Sequence, residues 1–499
     1  MIHIGVSCGF HDAGMAVVDD TGEVLFAGHS ERYTKKKHDK NLSKDIVIDA
    51  LNYMPAYGNV QLYYYERPWL KKIRELISGE FSRGLSSPLD SKKIIGEEFL
   101  SALKYKKPVK NMPHHKCHAA AGFQTSPYKE ATVVVIDAIG EIDCATIWHA
   151  QYDKNGTAKY KRLWSSRYPN SIGLYYSAMT HRIGLRPLDE EYILMGMAAY
   201  GAPQYTKAIE REFGGNNTSL TFKKNAHIGI EKSFLATADD FDIAASTQEY
   251  VETLITNVMN KARVIGKSNN LVYSGGVALN CSANRLLGDY FTNIWIMPNP
   301  GDCGNALGAA ALGYGKKLNW KNAFLGHDIT GAYPVKETVK ALKKDKIVGI
   351  ASGRAEFGPR ALGTRSLLAD PRGDTIKDKV NEIKKRQKFR PFAPMILEEL
   401  VHDYFEMPMG WNSSPYMQVT APCKHPNKFP AIIHADGTSR VQTVPNDGTG
   451  IRRLLEAWYK ETGCPILLNT SLNIRGEPMV NDRSDADRFE KLYNCRVIS

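Results

Sequence analysis

Residues 131–164 read ATVVVIDAIGEIDCATIWHAQYDKNGTAKYKRLW: a β-branched run, a small-residue turn, a second run, an Asn155-Gly156 turn and a third run. β-Branched runs bounded by turn residues read as strands, and Asn-Gly between two of them reads as a hairpin. The first thirty residues carry the same layout, with IHIGVSCG (2–9), MAVVDD (15–20) and EVLFAG (23–28), the last two joined through Asp20-Thr21-Gly22. This predicts an internal duplication. Each copy places a polar cluster at the turn after its first strand, GFHDAG (9–14) in one and DAIGE (137–141) in the other. Two similar halves facing a cleft would bring those turns together. Further strand–loop–helix signals follow at NLVYSGGVALNCSANRLL (270–287) and NIWIMPNPGDCGNALGAAALGYG (293–315), so the order is α/β throughout. Over residues 318–345 the sequence turns polar and loses its period, before a fresh strand, KIVGIASG (346–353). A boundary placed there gives a large domain, 1–340, and a smaller α/β domain, 341–499.

The 499 residues leave room for several domains. With 43% hydrophobic and 24% charged residues the chain is an ordinary globular one, neither disordered nor fibrous. Lys and Arg number 65 against 53 Asp and Glu, a net charge of +12 that favours phosphates, nucleotides or nucleic acid as partners. The N-terminus shows no basic region followed by an apolar one, and no run of eighteen apolar residues occurs, so a cytoplasmic protein with no membrane partner is expected. The eight cysteines are scattered without a CxxC pair, which argues for reduced, buried thiols.

The sharpest local signal is PHHKCHAAAGF (113–123). Proline suits the first turn of a helix, and residues four apart share a face, so His114 and His118 can present two imidazoles to one ion. Asp137, ending a strand, and Asp302, in the PGDCGN loop, sit where α/β folds gather ligand groups, outside strand ends. Two His and two carboxylates suit iron, manganese or zinc. The other reading of the pair is capping or surface histidines. His115 points off that face.

Ser274-Gly275-Gly276-Val277-Ala278-Leu279-Asn280 follows a strand and opens a helix, so its bare N–H groups can cradle phosphate oxygens; the alternative is an ordinary glycine turn. His11, beside Asp12, could take a proton from an attacking hydroxyl, or be a satisfied turn histidine. The run Glu31–His38 reads as a solvated charge run or the lining of an anion site. In the smaller domain Arg360 and Arg365 lie among Gly/Pro turns, Lys384, Lys385, Arg386 and Arg390 precede PFAP, Arg440 lies in DGTSR, and Asn469 and Ser471 end the strand PILLNTS. Arginine at fixed turns favours bidentate recognition of phosphate or carboxylate.

From the first strand to near residue 482 the chain closely resembles the NodU/CmcH family of O-carbamoyltransferases. The matching motifs are GFHDAGMAVVDD, ERYTKKKH, HHKCHAAAGF, IDAIGE, YPNSIGLYYSAMT, EYILMGMAAYG, SGGVALN, PGDCGNALGAA, GRAEFGPRALGTRSLLADPR, FRPFAPMIL, HADGTSRVQTV and PILLNTSLNIRGEPMV. The resemblance implies a duplicated large domain of the acetate-kinase/heat-shock-ATPase/actin fold, like the enzyme that makes threonylcarbamoyladenosine in tRNA. It also implies a YrdC-like small domain, like the enzymes that make threonylcarbamoyl-adenylate.

The activity implied is O-carbamoyl transfer. The small domain would join carbamoyl phosphate to ATP, taken with magnesium, giving carbamoyl-adenylate and pyrophosphate. The large domain would pass the carbamoyl group to an acceptor hydroxyl.

Carried over by motif, the ligands of a divalent metal, ferrous iron first with manganese or zinc as alternatives, fall on His114, His118, Asp137 and Asp302. The acceptor-side base falls on His11, and Lys37 matches a lysine near acceptor and adenylate. Gly275, Gly276 and Asn280 match the adenylate loop. Arg360, Arg365, Lys384, Arg390, Arg440, Asn469 and Ser471 match positions associated with ATP and carbamoyl phosphate.

Two positions depart from the family pattern, Ile193 where lysine is usual and Ala138 where glycine is. Acceptors in the family include antibiotic sugars, cephem alcohols and lipo-oligosaccharides. The basic balance, with Lys104, Lys106, Lys107 and Lys110 ahead of the histidine helix, points to a phosphate-bearing acceptor such as a hydroxymethyl-pyrimidine nucleotide. An antibiotic or sugar hydroxyl is the alternative. Nucleic-acid binding is not required, and an oligomer is compatible with the sequence. A reading from another class is an actin-like or heat-shock-like nucleotide-dependent binding protein; it predicts ATP binding without pyrophosphate release.

Overall fold

The structure, a computed structural model, describes residues 1–55, 59–216, 219–231 and 233–499. The chain divides into two compact units, one of Met1–Thr34 with His38–Lys321, the other of Lys35–Lys37 with Asn322–Ser499.

The first unit holds two five-stranded sheets. One is built from β1 (Ile2–Ser7), β2 (Gly14–Val18), β3 (Val24–His29), β4 (Val60–Tyr64) and β5 (Lys110–Asn111), in the order β3-β2-β1-β4-β5. The other is built from β6 (Glu130–Gly140), β7 (Asp143–Tyr152), β8 (Ala158–Arg167), β9 (Asn270–Ser274) and β10 (Asn293–Trp295), in the order β8-β7-β6-β9-β10. Each is an antiparallel three-strand meander whose first strand then takes a parallel neighbour, with β1 pairing β4 and β6 pairing β9.

The duplication reaches the turns. Asp19 Oδ1 accepts the backbone N–H groups of Thr21 and Glu23, each at 2.9 Å, and Asp153 Oδ1 accepts those of Asn155 and Thr157 at 2.9 and 3.0 Å. One Asx turn thus closes the corresponding hairpin in each half. Two such α/β halves are the duplicated architecture expected.

Each half follows its last strand with a helix, α1 (His114–Thr125) after β5 and, beyond α2 (Ile172–Arg182) and α3 (Asp240–Ile265), α4 (Asn305–Tyr314) after β10. The two are exchanged: α1 packs on β6 and β9, α4 packs on β1, β2 and β4, and the helices pack on each other. Glycine makes the approach close. A Cβ at Gly308 would lie 2.0 Å from the Cys117 carbonyl oxygen, and one at Gly5 would lie 1.9 Å from that of Ala306. Separate apolar cores fill the two halves, around Val6, Phe26, Leu62 and Tyr64 in the first and Phe123, Val133, Val135 and Val272 in the second.

The second unit is a seven-stranded mixed sheet of β12 (Ile347–Ala351), β14 (Arg365–Ala369), β15 (Ala393–Leu397), β16 (Val419–Pro422), β17 (Thr438–Val444), β18 (Ile466–Ser471) and β19 (Val497–Ile498), ordered β16-β17-β15-β18-β14-β12-β19. A two-stranded ribbon joins β11 (Phe324–Ile329) to β13 (Gly353–Glu356). Helices α5 (Val335–Asp345) and α7 (Gly450–Thr462) bury Leu342, Leu454 and Trp458 on one face, against Val348, Leu368 and Leu467. Helices α6 (Ile376–Ile383) and α8 (Arg483–Tyr493) contribute Ile376, Val380 and Phe489 to the core of the other, around Leu367, Ile396 and Leu468. The break falls between Lys321 and Asn322, ahead of the 340/341 boundary read from sequence, because the polar stretch contains β11, which pairs with β13.

All eight cysteines are buried and unpaired. Among the described residues no helix is long and apolar enough to cross a membrane.

Candidate active site

His114 opens α1 directly after Pro113, and one helical turn brings His118 beneath it, with the two Nε2 atoms 3.1 Å apart. Asp137 arrives from β6 and Asp302 from the loop that leads into α4. His114 Nε2 lies 3.3 Å from Asp137 Oδ2 and 3.3 Å from Asp302 Oδ1; His118 Nε2 lies 3.7 and 3.3 Å from the same atoms. The Asn305 amide nitrogen closes the ring, 2.9 Å from His118 Nε2. All four side chains are buried, and Asp302 Oδ1 has no hydrogen-bond donor.

These spacings fit a cation. With metal–ligand bonds of about 2.1 Å, neighbouring ligands on an octahedron or tetrahedron lie about 3.0 to 3.4 Å apart. Burial opposes ionisation of Asp137 and Asp302, yet the two imidazoles hold both well below the usual carboxylate range. The first unit therefore concentrates two carboxylates and two imidazole nitrogens on one buried point, the donor set of iron, manganese or zinc.

The surroundings fix these groups. Gly276 N–H donates to Asp137 Oδ1 at 3.1 Å, leaving Oδ2 for the histidines. Gly275 adopts φ +93°, and a Cβ there would fall 2.2 Å from the Ile136 carbonyl oxygen. Gly140 lets β6 pass the histidines, since a Cβ would come within 2.4 Å of His114. Glu66, itself held by Lys71 at 3.1 Å, lies 3.7 Å behind His114 Nδ1. His115 turns away and hydrogen-bonds Thr146 Oγ1 at 2.9 Å; burial and the charges of His114 and His118 keep it neutral. Gly173 lets α2 approach the main chain at Ala138, the departure from family glycine, since a Cβ there would lie 2.8 Å from Ala138 Cα, and Ile193 is buried in the core.

His11 Nε2 stands 3.7 Å from Asp302 Oδ2, and its Nδ1 is 2.9 Å from Asp12 Oδ2. Burial would lower its pKa, but the Asp12 hydrogen bond and the Asp302 charge outweigh burial and raise it to about 9. A cation at the four ligands would offset the Asp302 part of that rise. Lys37 is partly buried and belongs to the second unit, whereas His38 belongs to the first. Lys104, Lys106, Lys107 and Lys110 are all exposed.

Asn280, expected at a nucleotide, caps a short helix through Ala283 N–H and pairs with the Gln248 amide at 3.0 and 3.1 Å. These bonds engage its side chain within the fold.

In the second unit the sheet face covered by α5 and α7 continues through Gln442, Arg440, Asn469 and Ser471. The register aligns Asn469 with Ala393 and Met395 with Gln442, and side chains alternate along each strand. Lys384 is buried there and donates to Ser471 O at 2.5 Å, Ser471 Oγ at 3.1 Å and Asn473 Oδ1 at 2.9 Å. Burial, together with the charges of Arg386 and Arg390, lowers its pKa well below the usual lysine range. His434 is pushed down to about 4 by burial, against the charge of Asp436 and with those of Arg440 and Lys377. So Lys377, Lys384, Arg386, Arg390 and Arg440 form an excess of positive charge felt by their neighbours, the electrostatic signature of an anion site.

The loop bearing Arg360 is tied down beside them. Glu356 Oε1 accepts Leu362, Thr364 and Arg365 N–H at 2.8, 2.9 and 3.2 Å, Asn469 Nδ2 donates to Ala361 O at 3.0 Å, and Tyr333 Oη to Gly363 O at 2.8 Å.

Arg365 departs from expectation. It lies on the opposite face of the sheet from Ser471, fully buried, with guanidinium donors on the carbonyls of Asn481, Gly353, Thr364 and His327 at 2.9–3.0 Å. It ties the strand ends together, and strand alternation puts it on the other face from Ser471.

The family model described as carbamoyltransferase N-terminus matches residues 59–311, and the one described as carbamoyltransferase C-terminus matches residues 339–497. The chain belongs to the carbamoyltransferase family. Among its curated relatives, an uncharacterized protein of Synechocystis is 32% identical over 98% of this chain and 94% of that protein. Nodulation protein NolNO of Sinorhizobium fredii is 30% identical, covering 95% of this chain and 76% of that one, and nodulation protein NolO of Bradyrhizobium diazoefficiens is 33% identical over 75% of each. This carbamoyltransferase is therefore a transferase enzyme of α/β architecture, with a buried His/His/Asp/Asp cluster suited to a metal.

Sequence reasoning missed Asn305, Glu66, Glu356 and the contacts of His38 and Asp189. For Asn305, Glu66 and Asp189 the signal lies in contacts across long sequence separations, to which a local motif is blind.

Proposed function

We propose that this carbamoyltransferase activates carbamoyl phosphate with ATP and places the carbamoyl group on an acceptor hydroxyl. In the activating step the carbamate oxygen bonds to the α-phosphorus of ATP and pyrophosphate leaves. The phosphorus of carbamoyl phosphate departs as inorganic phosphate, with water completing the balance. Arg360, Lys384, Arg390 and Arg440 neutralise the phosphates, Asn469 and Ser471 complete the face they share, and Arg365 holds the surrounding main chain.

In transfer, His114, His118, Asp137 and Asp302 hold a divalent cation, with ferrous iron the first choice. When bound, the ion polarises the carbamoyl carbonyl and steadies the charge that develops on it. His11 takes the hydroxyl proton, the oxygen bonds to the carbamoyl carbon, and AMP leaves with the former anhydride oxygen. Gly275 and Gly276 hold the turn that orients Asp137, and Lys37 neutralises the adenylate phosphate.

The observation that carries this reading is the convergence of four buried ligand atoms within reach of His11. The acceptor we favour bears phosphate, such as a hydroxymethyl-pyrimidine nucleotide, on the strength of the exposed lysines leading into α1.

The test is a panel of hydroxymethylated nucleotides and neutral sugars with carbamoyl phosphate, ATP, magnesium and ferrous iron, read by mass spectrometry for one added carbamoyl group alongside pyrophosphate and phosphate release. Absence of carbamoyl gain on every acceptor, with no pyrophosphate formed, overturns the proposal. Gain on a sugar alone overturns the acceptor.

A further inference from the structure

His11 ends a hydrogen-bonded chain assembled from three separate stretches of sequence. Its Nδ1 meets Asp12 Oδ2 at 2.9 Å. The other oxygen of Asp12 meets His38 Nδ1 at 2.7 Å, and His38 Nε2 meets Asp189 Oδ1 at 3.0 Å. Asp189 is in turn 2.7 Å from the Arg186 guanidinium, and Glu31 Oε2 accepts the His38 backbone N–H at 2.8 Å. Asp12 and His38 both adopt the left-handed conformation, φ +50° and +54°. Non-glycine residues hold that region only where surrounding contacts determine it, and Asp, Asn and His tolerate it best.

With His11 neutral, as a base must be before it takes a proton, the hydrogen bonds fix where each proton along the chain lies. A histidine with a carboxylate at each nitrogen donates both N–H groups, so His38 is an imidazolium bridging Asp12 and Asp189. Asp12 then accepts at both oxygens, from His38 and from His11. His11 must therefore carry its hydrogen on Nδ1, and the nitrogen turned toward the metal ligands is Nε2, 3.7 Å from Asp302 and so beyond hydrogen-bond length. The hydrogen bonds from both histidines hold Asp12 well below the usual carboxylate range despite burial.

We infer that Asp12, anchored by His38 and Asp189, is a positioning residue that fixes the tautomer of His11 so that Nε2 faces the reacting acceptor. The inference rests on the transfer step proposed above. In that step the acceptor proton moves to Nε2 while the new O–C bond forms and AMP departs. Asp12 neither gains nor loses a proton; it keeps the other ring nitrogen occupied, as a buried carboxylate does for the histidine of a catalytic triad.

The test uses Asp12→Asn, because asparagine also tolerates the left-handed backbone and leaves the fold unperturbed, while its amide NH2 can turn a donor toward His11. In purified full-length protein loaded with zinc and labelled with 15N-histidine, the His11 signals, assigned by their loss in His11→Gln, should report a protonated Nδ1. In Asp12→Asn they should shift toward the other tautomer. With carbamoyl-adenylate and 5-hydroxymethyl-dCMP supplied, kcat should fall about 100-fold or more, with KM for the acceptor within about threefold and bound metal unchanged. His38→Asn should lower kcat on its own but add nothing to Asp12→Asn, since it acts through Asp12. An Nε2-protonated His11 in the wild type, an unmoved tautomer in Asp12→Asn, or multiplicative effects in the double variant would overturn the inference. If the wild type transfers nothing while the tautomer shifts as expected, the transfer reading fails and the orienting contact stands.

Discussion

Removing the Glu356 carboxylate tests how the Arg360 loop is held. Glu356 is 1% exposed, and its Oε1 is the common acceptor for three backbone N–H groups within four residues. Glu356→Ala leaves those three donors without a partner inside the fold. At about 1–3 kcal/mol for each buried donor left unsatisfied, the gross loss is about 3–9 kcal/mol. Water entering the vacated volume satisfies part of it, so the expected net cost is about 3–5 kcal/mol, a large share of the roughly 5–15 kcal/mol that holds a domain folded. Glu356→Gln keeps an acceptor oxygen but loses the charge, which about halves each bond, so its cost should be about 1–2 kcal/mol.

Urea unfolding followed by pyrophosphate formation, with hydrogen exchange read by mass spectrometry over residues 357–366, gives both global and local answers. The order of stability should be wild type, Gln, Ala, with faster exchange at Leu362, Thr364 and Arg365 and a raised KM for ATP. An Ala variant within about 1 kcal/mol of wild type that still protects those amides would refute the reasoning.

His114→Ala should lose its bound metal and carbamoyl transfer yet still release pyrophosphate, as measured by elemental analysis and a coupled phosphate assay; loss of both activities would break the assignment of the two chemistries to separate units. Gly275→Ala forces a Cβ against the Ile136 carbonyl and displaces the Gly276 amide from Asp137, so metal affinity should fall about 10- to 100-fold in a chelator competition. Arg365→Lys should cost about 2–4 kcal/mol in urea unfolding, because a lysine cannot reproduce the fork of carbonyl contacts; a change in KM for ATP at full stability would return Arg365 to the anion site.

His434, held neutral with a pKa of about 4 against 6.5 when unfolded, takes up its proton more readily in the unfolded chain. Stability should therefore rise with pH between about 4 and 6.5 and fall on acidification, by up to about 3 kcal/mol from this residue. Thermal melts of His434→Asn should show that slope flattened.

The fold was legible because its two halves repeat at the level of turns: Asp19 and Asp153 close equivalent hairpins, and a β-branched run precedes each polar cluster. The metal set was legible for a related reason, since His114 and His118 obey helical spacing and Asp137 ends a strand. The carbonyl contacts of Arg365 and the Gln248 pairing of Asn280 were not legible, because a motif shows which residue stands at a position and not what faces it. The Asp12–His38–Asp189 chain was invisible because its members lie 26 and 151 residues apart and meet only when the segment after β3 folds back on the first hairpin.

The glycine at 308 reaches further than its size suggests. Because it rests directly on the Cys117 carbonyl, the gap between α1 and α4 is a main-chain dimension, and no rotamer change can widen it. The contact lies one residue before His118, so any side chain at 308 would push on the main chain that carries a histidine of the cluster.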